Sequence, residues 1–333
     1  MVIHKLKVDS TARVLVLASA LLTAALPLSV SAQDAKLPQM TTIKALTVPY
    51  FAPEFVAKEL DFYKKYNLDV EFVTQVAQGA AGIPAIVSNQ VQTGQGFGGG
   101  PILQARAGGA KVTAVVSGIT STYGDFRLYV RSDSGISSAK DLKGKTVAIN
   151  NVGSYADIMV QSFMGNGGLT ESDVRRLPVP LPSMCQALMS GQVQAVALYS
   201  LFYVPCEKEH GDKIKVLAKD SEAIPAAAKL YSAYVFADDY IKQNPAVIRA
   251  YVAAMRDAMD FINKNPDKAK EIVAKRTGFK IENLLVPTFA PNGCVDKQAA
   301  SDWVKVMEKY NAIKPGAVNG SEWVTNDFNP ACR

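Results

Sequence analysis

A candidate anion-binding turn lies in the middle of the sequence, between Thr146 and Asp157. An apolar run at 146–149 is followed by Gly153-Ser154 and then by residues with helical spacing. This order predicts a strand, a turn and the start of a helix, where backbone N–H groups without intrahelical partners can face an anion. The same order also arises in α/β proteins for structural reasons alone, so both interpretations stand at this point.

A second candidate is a glycine-rich strand end, where Gly98, Gly99 and Gly100 precede a helix predicted from Ile102 to Ala107. Glycines at such a position let a ligand approach the backbone closely, although a tight turn explains them equally well. A phosphate loop of the GxxxxGK[ST] type is excluded because no Lys-Ser or Lys-Thr follows. The dinucleotide fingerprint also fails, because its acidic residue is missing.

Metal and nucleophilic chemistry have little support in the sequence. The four cysteines match no CxxC or zinc spacing, and we predict the disulfides Cys185–Cys206 and Cys294–Cys332 because each joins nearby segments. His210 is the one histidine beyond the first 32 residues, and we expect it at a helix end. We therefore expect no metal site, no cofactor and no catalytic residues.

The first 32 residues have the organisation of a secretory signal peptide. Lys5, Lys7 and Arg13 precede an apolar run from Val14 to Leu28, and cleavage is expected after Ala32. Its removal takes away three positive charges and one negative charge, which lowers the formal net charge from +6 to +4. This mild balance, without a block of Lys and Arg, argues against a nucleic-acid partner. We expect a soluble protein located in the periplasm.

The elements that must position these residues alternate between strands and helices, which predicts an α/β fold with mainly parallel sheets. A second strand–helix series fills the middle of the chain, and an apolar run at 231–237 then leads back toward the first. Helical spacing follows over a stretch of residues predicted to face the core: Ile248, Tyr251, Val252, Met255, Met259 and Ile262.

Four segments, in the right order, resemble the periplasmic solute-binding proteins of ABC importers for nitrate, alkylsulfonates, taurine and related compounds, including thiamine precursors. They are Leu60–Glu71, Gly94–Pro101, Ser134–Ala148 with Gly153-Ser154, and Ala187–Ala195. The likeness covers roughly residues 43–310. It is specific for the family and says little about the ligand.

The resemblance implies the two-lobed periplasmic binding protein fold, of a type II-like kind, with a mainly parallel sheet flanked by helices in each lobe. Lobe 1 is expected at 33–128 plus 234–333 and lobe 2 at 129–233. Strands near 127–131 and 231–237 are expected to form a two-strand hinge, and closure on a ligand would be recognised by an importer.

The resemblance also implies that ligand contacts come from loops at the carboxyl ends of strands. The residues carried over to that role are Tyr50, Phe51, Gly98, Gly99, Gly100, Thr122, Tyr123, Arg127, Gly153, Ser154, Tyr155, Tyr199 and Ser200.

Aromatic residues are dense in these loops, and a tyrosine offers both an apolar face and a hydroxyl group. We therefore predict an organic ligand with an apolar or aromatic body and one anionic group, a carboxylate or a sulfonate. Its acid is expected on the Ser154 hydroxyl and the N–H groups of 153–155, with Arg127 supplying charge. A pyrimidine, a thiamine precursor or another uncharged molecule is the alternative. The expected partners are the permease and ATPase of an importer, and the protein is expected to be a monomer.

Two classes of enzyme with a similar fold need residues that this sequence does not offer. A related desulfinase uses a cysteine nucleophile with His and Arg, whereas here the cysteines are expected to pair. Thiamine-pyrimidine synthases of similar fold depend on a cysteine- and histidine-rich stretch that this sequence lacks. The sequence therefore argues against an enzyme. A ligand-sensing partner of a membrane receptor stays open as an alternative.

Overall fold

Strands and helices alternate along the described part of the chain. The structure is a computed structural model that describes Val2 and residues 35–47, 53–74, 82–121 and 124–332. Apart from Val2, the predicted signal peptide lies outside these residues. No helix in the described ranges is both long and apolar enough to cross a membrane.

The strands are β1 (Thr41–Thr47), β2 (Leu68–Thr74), β3 (Thr93–Gly98), β4 (Val112–Ser117), β5 (Ile119–Thr120), β6 (Phe126–Arg131), β7 (Thr146–Ile149), β8 (Arg175–Pro178), β9 (Ala195–Tyr199), β10 (Ile214–Lys219), β11 (Ser232–Ala237) and β12 (Thr288–Phe289). Many of them are rich in β-branched residues, which pack well on a pleated surface.

The helices are α1 (Pro53–Glu59), α2 (Phe62–Lys65), α3 (Ile83–Val87), α4 (Gly99–Ala107), α5 (Tyr155–Asn166), α6 (Leu181–Met189), α7 (Ser200–His210), α8 (Asp220–Ala223), α9 (Asp238–Gln243), α10 (Pro245–Lys264), α11 (Pro266–Thr277) and α12 (Lys297–Lys309). Short 3-10 helices lie at Ala139–Leu142, Glu171–Asp173, Gly211–Lys213, Pro225–Ala228, Ile281–Asn283, Pro291–Gly293 and Pro330–Cys332.

Ten of the strands form two five-stranded sheets, and β5 and β12 pair antiparallel in a separate two-stranded sheet. The first sheet has the order β2-β1-β3-β11-β4, with β1 parallel to β2 and β3, and with β11 antiparallel to β3 and β4. The second has the order β10-β6-β9-β7-β8, with β7 parallel to β8 and β9, and with β6 antiparallel to β10 and β9. Each five-stranded sheet thus has one reversed strand, and the predicted mainly parallel α/β fold is confirmed.

The chain passes between the sheets twice. Residues 118–125, the first crossing, lead from β4 to β6, and residues 220–231, the second crossing, lead from β10 to β11. The crossings are bonded to each other: Ser121 N–H donates to Ala227 O at 3.1 Å, and Tyr231 N–H donates to Ile119 O at 3.1 Å.

The sequence placed the hinge on strands near 127–131 and 231–237, and the structure shifts the crossings to the residues just before them. Those strands are β6 and β11, and each lies inside a sheet with a partner on both sides. A strand in that position satisfies its backbone groups within one sheet, so the chain crosses in the segments that precede it, which contain β5 in the first crossing and α8 in the second. The lobe boundaries at 128 and 234 stay a prediction.

Helix α10 packs its apolar stripe into the core beside the first sheet. All six residues predicted to face the core are buried, including Tyr251 and Met255. The two disulfides have the predicted pairing, with Cα–Cα distances of 6.0 Å for Cys185–Cys206 and 5.5 Å for Cys294–Cys332.

Candidate functional site

The turn between β7 and α5 has the predicted strand, loop and helix order, and Ser154 is the N-cap of α5. Its Oγ accepts a hydrogen bond from Asp157 N–H at 3.2 Å and donates one to Asn150 Oδ1 at 2.6 Å. Gly153 has a φ of +74°, a backbone conformation that glycine adopts without strain. The hydroxyl group expected to hold a ligand is therefore engaged in capping its own helix.

The carboxylate of Asp157 lies where an anion was expected. It accepts Gly153 N–H at 2.8 Å and pairs with Arg176 at 2.5 Å, and Arg176 also pairs with Glu171. Asp157 is fully buried, as a carboxylate with these partners can be. The first N–H groups of a helix have no carbonyl acceptor within the helix. In α5, Asp157 N–H is capped by Ser154, so the groups of this kind that remain in the first turn are those of Tyr155 and Ala156.

The side chain of Tyr155 points away from that turn and into a group of aromatic rings. Its ring centroid lies 4.6 Å from Tyr231, 5.3 Å from Phe126 and 5.8 Å from Trp303. Phe126 is also 5.3 Å from Tyr199. These separations are typical of favourable aromatic pairs. Phe126 lies on β6, Tyr199 on β9 and Trp303 on α12, and Tyr231 directly precedes β11.

The hydroxyl group of Tyr155 donates a hydrogen bond to Asp220 Oδ2 at 2.9 Å. Asp220 begins the second crossing, is fully buried, and also accepts Ser121 Oγ at 2.7 Å, Ser221 N–H at 2.8 Å and Phe126 N–H at 3.3 Å. Burial raises the pKa of Asp220 to about 6, against the lowering effect of these donors.

Asp125 is a second buried carboxylate, at the end of the first crossing and 2% exposed. Its backbone N–H donates to Ser121 Oγ at 3.0 Å, while its Oδ2 has no hydrogen-bond partner among the described residues. Burial raises the pKa of Asp125 to about 8, and the negative charge of Asp220 adds to the rise. We call Ser121, Asp125, Phe126, Tyr155, Tyr199, Asp220 and Tyr231 the junction cluster.

Three glycines at the end of β3 and the start of α4 make room for large side chains packed against them. A Cβ on Gly98 would lie 3.6 Å from Tyr155 Cδ2, and one on Gly99 would lie 2.9 Å from the Trp303 ring. Helix α4 accordingly begins at Gly99, not at Ile102 as the sequence suggested, because its first turn packs directly under Trp303. Gly100 faces Met307 Sδ, which a Cβ would approach to 3.4 Å.

Arg127 lies on β6 and is engaged away from the Gly153 turn. Its guanidinium group is 4.3 Å above the Tyr203 ring and pairs with Glu207 at 3.2 Å. Ser200 begins α7 and donates its N–H to Asp125 O at 2.8 Å. Tyr50, Phe51, Thr122 and Tyr123 lie outside the described residues, so their predicted role stays a prediction.

The structure brings together the predicted residues Gly98, Tyr155 and Tyr199, and adds Asp125 and Asp220, which sequence reasoning missed. The signal in the sequence was weak: Asp125 directly precedes β6 and Asp220 directly follows β10, so each acid stands at one end of a strand. Only the pairing of the crossings buries them side by side.

The described part of the chain offers few groups for metal binding or thiol chemistry. The one group of possible metal ligands there is Cys185, Cys206 and His210, with ligand atoms within 4.8 Å of one another. Its two sulfurs are joined in a disulfide, and no cysteine of the chain is free.

The sequence matches the NMT1/THI5-like family over residues 48–269, more than half of the 333 residues. The chain belongs to this family. A protein of Brucella abortus (strain 2308) that is named as a binding protein is 26% identical to this chain over 266 residues. The match covers 80% of this chain and 76% of the relative.

Solved structures show the fold of this NMT1/THI5-like protein. The periplasmic aliphatic sulphonate binding protein SsuA from Escherichia coli is similar with a TM-score of 0.71 and 19% identity, covering 85% of this chain and 92% of its own. The periplasmic nitrate-binding protein NrtA from Synechocystis PCC 6803 has a TM-score of 0.70 and 15% identity, covering 88% of each chain. The fold is that of the periplasmic binding proteins.

Proteins named as enzymes are also similar to this chain. A 4-amino-5-hydroxymethyl-2-methylpyrimidine phosphate synthase of Saccharomyces cerevisiae, THI13, is 22% identical over 233 residues, 66% of each chain. The desulfurization enzyme DSZB has a TM-score of 0.63 and 14% identity, covering 86% of this chain and 97% of its own. The fold alone therefore does not separate binding from catalysis.

Proposed function

We propose that this protein is the extracytoplasmic solute-binding component of an ABC importer, and that it captures a small organic ligand between two lobes. The observation that carries the proposal is the junction cluster, where Tyr155 of α5, which follows the second sheet's β7, meets Gly98 of the first sheet's β3 and Tyr231 at the end of the second crossing. Ligands of open α/β folds bind outside the carboxyl ends of the strands, and β3, β7, β9 and β10 all end at this place.

In this proposal lobe 1 comprises 33–128 and 234–333, and lobe 2 comprises 129–233. The first and second crossings serve as the hinge, since they are the two connections between the sheets and are bonded to each other. A hinge of this kind absorbs backbone rotation at a few irregular residues while the sheets move as rigid bodies. The permease then recognises the liganded arrangement of the lobes.

Catalysis is left out of the proposal for a specific reason. A thiol nucleophile is not available, because all four cysteines are in disulfides. The two disulfides and the predicted signal peptide at 1–32 both suit an oxidising compartment, and we therefore propose a periplasmic location. The monomeric state stays the prediction made from the sequence.

The ligand's body is proposed to be apolar or aromatic, because three aromatic rings, those of Phe126, Tyr231 and Trp303, pack around Tyr155. The anionic group predicted from the sequence is not carried into this proposal. The Gly153 N–H and the Ser154 Oγ, which were expected to receive it, already bind Asp157 and Asn150.

Native mass spectrometry tests the proposal on protein released from the periplasm without refolding. We expect a complex with one small organic molecule, and we expect this complex to stimulate ATP hydrolysis by the permease and ATPase of its proposed importer, reconstituted in liposomes. Protein that carries no ligand and leaves the ATPase at its basal rate contradicts the proposal. Ligand binding with capture by a membrane receptor, and no ATPase stimulation, would support the sensing alternative.

A further inference from the structure

His210 lies beside the Cys185–Cys206 disulfide, at the last residue of α7. The two sulfur atoms and a ring nitrogen of His210 all lie within 4.8 Å of one another. Cys206 and His210 are four residues apart on α7, so helix geometry places them on one face, and Cys185 joins them from α6. Two thiolates and an imidazole are a set of ligands that zinc prefers.

The second disulfide has no such neighbour. In the part of the chain that the structure describes, Cys294 and Cys332 belong to no group of possible metal ligands. His210 is also the one histidine beyond the first 32 residues. The two disulfides therefore differ in one chemical respect, the imidazole beside Cys185–Cys206.

The surroundings of His210 suit a cation. Its side chain is 18% exposed, and within the described ranges its ring makes no hydrogen bond, the nearest charge being the Glu209 carboxylate at 3.8 Å from Nε2. Polar groups that are largely buried usually have a partner. Since α7 ends at His210, the last carbonyl groups of the helix lie close by, and the partial negative charge of this helix end also favours a cation.

The disulfide keeps the two sulfurs from binding a metal, because each sulfur has spent its thiolate on the other. Zinc sites are tetrahedral, with sulfur ligands about 3.8 Å apart. The Cα atoms of Cys185 and Cys206 are 6.0 Å apart, so rotation of the two side chains can separate the sulfurs to that distance without moving the helices. Opening the disulfide would therefore complete the set of ligands.

We propose that Cys185, Cys206 and His210 form a zinc site that exists only while this disulfide is open. Reduction by a dithiol gives the two sulfurs two electrons and two protons, and the dithiol becomes a disulfide. Zinc then displaces both thiol protons and binds two thiolates and a neutral ring nitrogen, with the fourth position left for water. Oxidation removes two electrons from the thiolates, forms the disulfide and releases zinc.

The site goes beyond the proposed function, since none of its residues belongs to the junction cluster. Every newly made chain is reduced before its disulfides form, so zinc binding and disulfide formation compete for the same two sulfurs. The Cys294–Cys332 pair lacks the third ligand and is free of this competition.

Cobalt(II) replaces zinc as a spectroscopic probe in the first test, on the mature wild-type chain without oxygen. A phosphine opens the disulfides: it takes the oxygen of a water molecule, and the sulfurs take the protons. We expect the reduced protein to bind one cobalt ion with a thiolate-to-cobalt charge-transfer band that zinc abolishes, and the oxidised protein to show no band. A reduced, folded protein without the band, or an equal band in the oxidised protein, overturns the inference.

Variants of His210 then test the third ligand. His210→Ala keeps all four thiols, and we expect it to bind cobalt about tenfold more weakly or worse, because loss of a ligand exceeds the effect of losing an outer partner. His210→Cys supplies a thiolate from the same helical position and should restore the affinity. Equal affinity of His210→Ala and wild type overturns the inference.

A further variant removes the need for a reductant, which also opens Cys294–Cys332. Cys185→His replaces the ligand from α6 by one that cannot form a disulfide, and it leaves the second disulfide intact. Cys185→Ser is the matched control without that ligand, and it should bind cobalt about tenfold more weakly than Cys185→His. Equal binding by the two variants overturns the inference. If circular dichroism shows that reduction unfolds the wild type, this comparison decides alone.

Discussion

Tyr155 donates a hydrogen bond to Asp220 across 2.9 Å, and this bond joins the start of α5 to the start of the second crossing. The two residues are 65 positions apart in the sequence. Because Asp220 also accepts from Ser121 in the first crossing, one carboxylate holds both crossings and a second-sheet helix together. Substitutions at this point should therefore affect stability and the relation between the sheets.

Tyr155→Phe should lower the free energy of unfolding by about 1–3 kcal/mol, because a buried carboxylate loses a donor while the ring contacts remain. It should also raise the pKa of Asp220 further, since the Tyr155 hydroxyl group is one of the donors that lowers it. Urea denaturation measures the first effect. Tyr310→Phe is the matched control, because its hydroxyl group donates to Ser162 O at a longer 3.3 Å in a half-buried position. Equal losses in the two variants would contradict a special role for the Tyr155–Asp220 bond.

Gly99 and Gly100 offer a matched pair in the first turn of α4. Alanine gains up to about 1 kcal/mol over glycine inside a helix, but a Cβ on Gly99 meets the Trp303 ring at 2.9 Å, and such overpacking costs about 1–3 kcal/mol. Gly99→Ala should therefore destabilise the protein. Gly100→Ala should be neutral or mildly stabilising, because its neighbour at 3.4 Å is the flexible Met307 side chain. Thermal denaturation of both variants checks the order, and the reverse order would refute the packing role of Gly99.

Ser154→Ala should cost about 1 kcal/mol of stability, because Asp157 N–H loses its cap. Ser154→Thr keeps an acceptor at the same position and should recover most of that loss. Affinity for the ligand identified by mass spectrometry should be unchanged in both. A tenfold loss of affinity in Ser154→Ala at unchanged stability would restore the sequence-based prediction that Ser154 binds the ligand.

Local signals were sufficient to predict the β7–α5 turn. Its β-branched strand, its glycine at positive φ and its capping serine all lie within ten residues, and each feature acts on its immediate neighbours. The same holds for Cys185–Cys206, whose separation of 21 residues made a local pairing the natural choice. The spacing of Ser154 and Asp157 also resembles a capping box, which is a signal that the first turn would be closed from within the chain.

Long-range burial could not be predicted in the same way. Asp125 and Asp220 lie in separate crossings, and nothing near either residue indicates that the two segments pair and exclude water from both carboxylates. Arg127 was expected to serve a ligand, yet its partner Glu207 is 80 residues away on α7. Charge partners at such separations depend on the finished packing of the sheets and not on local pattern.

Glu54 is a third buried carboxyl group, in the first turn of α1, and it gives the protein a predictable dependence on pH. It accepts a hydrogen bond from the Tyr234 hydroxyl group at 2.5 Å, and its Oε1 has no partner in the described residues. Burial raises the pKa of Glu54 to about 7 from an ordinary value of 4.5, despite the lowering effect of Tyr234. The folded state therefore holds this proton more tightly than the unfolded state.

A raised carboxyl pKa contributes stability that is fully present below about pH 4.5 and is lost as the pH rises through about 7. Glu54→Gln removes this dependence, because an amide does not titrate. The stability of the wild type relative to Glu54→Gln should thus fall by about 2–3 kcal/mol between pH 5 and pH 8. Asp125 and Asp220 act in the same direction and remain in both proteins, so they cancel in the difference. Urea denaturation at the two pH values measures it, with Glu59→Gln as the control, because Glu59 is an exposed acid of the same helix that pairs with Lys275. A difference between wild type and Glu54→Gln that stays constant with pH would show that Glu54 does not hold its proton in the folded state.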